Sequence, residues 1–104
     1  MINIFGFAPI VTQITPSNTS ANTVFGGGIV KVWGFTINRL PTGAGVVATV
    51  RTNEASPTTI WMGTLSPDQS VVVNIPFIAD KGLEVISASA NLLSFTFWHS
   101  QVGT

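Results

Sequence analysis

The sequence predicts an all-β protein: an antiparallel β-sandwich, jelly-roll-like, with about eight short strands and an extended N-terminal segment. Three observations carry this. Short apolar or alternating runs recur along the chain, clusters of Gly, Pro, Ser, Thr and Asn separate them, and no stretch spaces its apolar residues as a helix would.

The runs lie near residues 2–7, 10–14, 28–38, 46–52, 59–63, 70–75, 83–88 and 92–99. The polar stretch 12–28, TQITPSNTSANTVFGGG, is too poor in apolar residues to pack by itself. It reads as a long surface loop, or as an arm ordered only against a neighbouring subunit. The organisation expected is one domain, with residues 1–28 as N-terminal strands and arm and residues 29–104 as the sandwich core.

In the third run, IVKVWGFTIN, strict alternation puts Val30, Val32, Gly34 and Thr36 on one face and Lys31, Trp33, Phe35 and Ile37 on the other. Further on, Ser66-Pro67-Asp68-Gln69 reads as a turn. The run VVVNIP ends at Pro76, which has no N–H to donate to a ladder, and Asp80-Lys81-Gly82 turns the chain with Gly82 free to take positive φ. In LLSFTFWHS, Leu93, Phe95 and Phe97 form an inward set and Trp98 falls outside or at an interface.

Of the 104 residues 45% are hydrophobic and 8% charged, where an ordinary soluble domain carries about 25% charged residues. Four basic and four acidic side chains cancel, so little in the net charge keeps copies apart. Nucleic acid is not an expected partner, because Lys31, Arg39, Arg51 and Lys81 are scattered singly along the chain. Nor is a membrane, since no apolar run approaches the roughly 18 residues of a span and the N-terminus lacks the pattern of a signal peptide. The chain reads as soluble and made in the cytosol. With no cysteine, disulfides and thiolate metal sites are excluded.

The stock for catalysis is one histidine and four carboxylates, too thin for an activated nucleophile or an acid–base pair. His99 is read as structural, Glu54, Asp68 and Asp80 as turn residues, and Glu84 as the cross-strand partner of a basic residue or a blunted edge. No spacing suits a metal, and Gly26-Gly27-Gly28 lacks the Lys-Ser/Thr of a phosphate loop. No enzyme activity and no cofactor are expected. Ile10, Phe25, Trp33, Trp61 and Trp98 are the candidate interface residues. For the tryptophans the choice is between core or subunit contact and a stacking platform for sugar rings.

Residues 61–100 resemble the small all-β virion proteins of tailed bacteriophages, the capsid decoration or cement proteins and their head-fibre relatives. Ile75-Pro76-Phe77-Ile78, Gly82-Leu83-Glu84-Val85 and Leu93-Ser94-Phe95-Thr96-Phe97 carry the likeness. The resemblance implies a non-enzymatic protein, made in the host cytoplasm and placed on the capsid surface of a virion. It would stabilise the head by binding the major capsid protein and its own copies, as a homo-oligomer such as a trimer. The alternative is a carbohydrate- or receptor-binding module of a fibre, with Trp61 or Trp98 as the stacking surface.

Overall fold

A computed structural model describes residues 10–41 and 43–100, so the expected run 2–7 lies outside the described residues. Nine strands follow one another: β1 (Ile10–Ile14), β2 (Asn22–Phe25), β3 (Val30–Arg39), β4 (Val46–Thr52), β5 (Thr59–Leu65), β6 (Ser70–Val73), β7 (Phe77–Ala79), β8 (Leu83–Ser87) and β9 (Leu93–His99). All pair antiparallel, in two sheets. Sheet A runs β1-β9-β3-β6, with β7 beside β6 on the same flank of β3, and sheet B runs β2-β8-β4-β5.

Because β6 and β7 pair with successive parts of β3, they are one strand interrupted at Asn74–Pro76. Counted so, eight strands alternate between the sheets in jelly-roll order, with β4 and β5 as the hairpin within one sheet. The all-β sandwich is thus the fold the alternation predicts.

The core lies between the sheets. From sheet A it takes Val30, Val32, Phe35 and Ile37 of β3 and Leu93, Phe95 and Phe97 of β9, all fully or almost fully buried. From sheet B it takes Val46, Ala48 and Val50 of β4, Leu65 of β5, and Leu83 and Val85 of β8. Phe97 sits centrally, its ring centroid 5.3 Å from Phe35 and edge-on to Phe25 at 6.1 Å. The inward set on the last strand is as expected.

Two expectations are corrected. The stretch 12–28, expected as a long loop or an arm, is a loop at residues 15–21 but not throughout. Asn22–Phe25 forms β2 and pairs with β8, and Phe25 is buried against Phe97 and His99, so this candidate interface residue is used up in the chain's own core. The strand is only four residues long and is held by its neighbour's ladder.

The second correction concerns β3, which does not keep one phase. Its register against β9 shifts between Val32 and Gly34, so Val30 and Val32 face inward before the bulge and Phe35, Ile37 and Arg39 after it. Phe35 and Ile37 are therefore core residues, on the side that strict alternation gave to Val32.

The turns follow their residue chemistry. Gln69 N donates to the Ser66 carbonyl at 3.0 Å with Pro67 and Asp68 between, Asp68 at φ 63°. Gly82 takes φ 86°, and a Cβ there would lie 2.1 Å from the Phe25 carbonyl oxygen. Only glycine lets β2 lie so close.

Candidate functional site

Directly paired residues share a face of a sheet, so the registers sort the outer side of sheet A into rows. Val11, Trp98 and Gly34 form one row. Gln13, Thr96, Thr36 and Val72 form the next, and Ser94, Asn38 and Ser70 the next again. Apolar and aromatic side chains gather at one end and uncharged polar ones at the other. In the polar part Gln13 donates to Ser94 at 2.8 Å and Ser70 to Asn38 at 2.7 Å.

The bulge builds the aromatic end. Between inward-facing Val32 and Phe35 lie two residues, Trp33 and Gly34, where alternation allows one. Trp33 and Trp98 thereby wall a cleft of about 140 Å³ together with Val72 and Asn74, over a floor at Gly34. Gly34 is buried, and a Cβ on it would stand 2.7 Å from the Val73 carbonyl oxygen. The Lys31 ammonium lies 5.7 Å from the centroid of the Trp33 ring.

The other candidate residues lie apart from this cleft. Trp61 pairs with Val50 on the inner side of sheet B, and its ring folds over Gly63, half-buried against the core. Ile10 is exposed at the start of β1, next to His99 in register. The sequence reading missed Asn74, Val72 and the opening above Gly34. An isolated glycine inside a strand pattern is the signal for such a bulge.

The ionisable residues are occupied structurally. His99 is buried, its Nδ1 donating to the Ser100 carbonyl at 2.6 Å and its Nε2 accepting from the Thr12 hydroxyl at 2.7 Å. Glu84 on β8 pairs across the sheet with Arg51 on β4, Nε to Oε1 2.5 Å, the first of the two roles its place within a strand allows. Arg39, buried at the end of β3, donates to the carbonyls of Leu40 and Ala44 and so fastens the loop that follows it. A second cleft of about 170 Å³ opens beside it, between Thr15, Leu40 and Asn91.

Among the described residues no three His, Asp or Glu side chains converge, and no helix is long and apolar enough to cross a membrane.

This is a small jelly-roll sandwich with a sparsely charged outer face and an aromatic cleft in it. No family model matches the chain, and no curated protein matches it. A solved structure described as "Bacillus endospore appendages form a novel family of disulfide-linked pili" is similar, with a TM-score of 0.50 at 11% identity over 93% of this chain and 87% of that one. At that identity the likeness is one of fold.

Proposed function

We propose that this chain is a non-enzymatic structural subunit that acts by associating with further copies of itself in a surface assembly. One observation carries the reading: β1, β2, β5, β6 and β7, which form the flanks of the two sheets, contain no charged residue. Natural sheets ordinarily guard their edges with lysine or inward charges, because open N–H and C=O groups recruit another strand. Here the charges sit on the central strands β3, β4 and β8 and in turns. Exposed Ile75, Ile78 and Met62, each more than 60% accessible, add apolar area that contact with another molecule would cover.

The fold it shares with a pilus subunit supports the same reading. Contacts made through these 104 residues involve no disulfide, since they contain no cysteine. The finer reading, a capsid decoration protein bound to major capsid subunits and displayed on a virion, rests on the likeness of residues 61–100.

Light scattering across a range of concentrations tests the first reading. A mass above one chain that falls on dilution is expected, and a monomer at every concentration overturns it. Co-sedimentation with expanded phage capsids tests the finer one, and failure to sediment removes the capsid while leaving self-association standing.

A further inference from the structure

The Trp33–Trp98 cleft opens on the outer side of sheet A beside the flanking strand β6, and its make-up points to a ligand other than a second copy. We infer that it is a binding subsite for one ring of a neutral saccharide. The bulge in β3 turns Trp33 outward to stand beside Trp98, and Gly34 keeps the floor open where any side chain would collide with the Val73 carbonyl. Indole walls suit the C–H faces of a pyranose, whose hydroxyls point outward around the ring and need polar partners at the rim.

Asn74 supplies that rim, its Oδ1 3.6 Å from the position a Gly34 Cβ would take. At about 140 Å³ the cleft falls below the roughly 300 Å³ at which pockets for drug-sized ligands begin, so it admits a single ring.

The surroundings favour an uncharged sugar over a cationic ligand or a protein partner. No carboxylate lines the cleft, and the nearby cation, Lys31, lies over the Trp33 ring. Away from the cleft the same face continues through Thr36 and Thr96 to Asn38, Ser70 and Ser94, a track of hydroxyls and amides. Further rings of an oligosaccharide would lie along it. A face built only for protein contact has no need of this polar track leading out of an aromatic notch.

The test is tryptophan fluorescence titration of the native protein with neutral oligosaccharides of glucose, galactose, mannose and N-acetylglucosamine, with light scattering run alongside. A saturable change with at least one of them is expected. Trp98→Ala should weaken it about tenfold or more, and Trp61→Phe, in the other sheet, should leave it intact. Asn74→Ala, at an exposed position, gives a second reading if Trp98→Ala fails to fold. The inference is overturned if no saccharide in the panel binds, or if the Trp98→Ala and Asn74→Ala proteins both bind as the native protein does. It is also overturned if Trp98→Ala lowers particle mass while the native protein binds no sugar, since the cleft is then a contact between copies. Particle mass and sugar binding are read separately, so either proposal can fail alone.

Discussion

The two sides of sheet A are made from the same strands and obey opposite rules. On the inner side, Phe35, Ile37, Leu93, Phe95 and Phe97 are fully or almost fully buried and interlock with sheet B. On the outer side, Trp98 is 36% and Val72 70% accessible; Trp98 lies between Val11 and Gly34, and Val72 beside Thr36. Apolar character is common to both sides, so hydrophobicity alone does not mark the core. What separates them is the register, which commits alternate residues of β9 to the core or to the outer surface.

The sharpest way to break this comparison is Phe97→Ala. It removes a ring packed against Phe25 and Phe35, and should cost about 3–5 kcal/mol, enough to unfold a domain of ordinary stability. Urea or thermal unfolding measures it, and an unchanged midpoint would mean the inner side is not where the stability lies. Gly34→Ala sharpens the comparison, because this residue points outward but is buried. Its methyl group must displace the Val73 backbone, at a cost of about 1–3 kcal/mol by the same measurement. Ile78→Ser should have the smallest effect on stability, within about 0.5 kcal/mol, yet lower the particle mass in light scattering. Loss of stability there would show that the outer side also supports the fold.

Where one physical rule governs a segment, the sequence was a sufficient guide. In β9 small or polar residues alternate with Leu93, Phe95 and Phe97, and only one phase buries those three. The Gly82 turn was legible for the same reason, following from one residue type in one local context, whereas for Glu84 the sequence left a cross-strand pair and a blunted edge both open.

In β3 both alternate sets are apolar, so its pattern did not determine a phase, and the extra residue at Trp33 reversed it halfway. Neither β2 nor β7 has a pattern long enough to stand out. Asn22–Phe25 sits in polar surroundings and Phe77–Ala79 follows directly on Pro76, and both owe their conformation to the strands they join. The cleft was hidden for a related reason. Trp33, Asn74 and Trp98 are far apart in the chain, and only the sheet's pairing collects them.

The break between β6 and β7 and the bulge in β3 fall at the same height, so Trp33 and Gly34 are in register with neither short strand. The pairing on that flank of β3 is therefore interrupted along this line, a crease in the ladder, with β9 running unbroken beside it like the spine of a folded card. The amide protons flanking the crease should accordingly exchange with solvent sooner than those of β9.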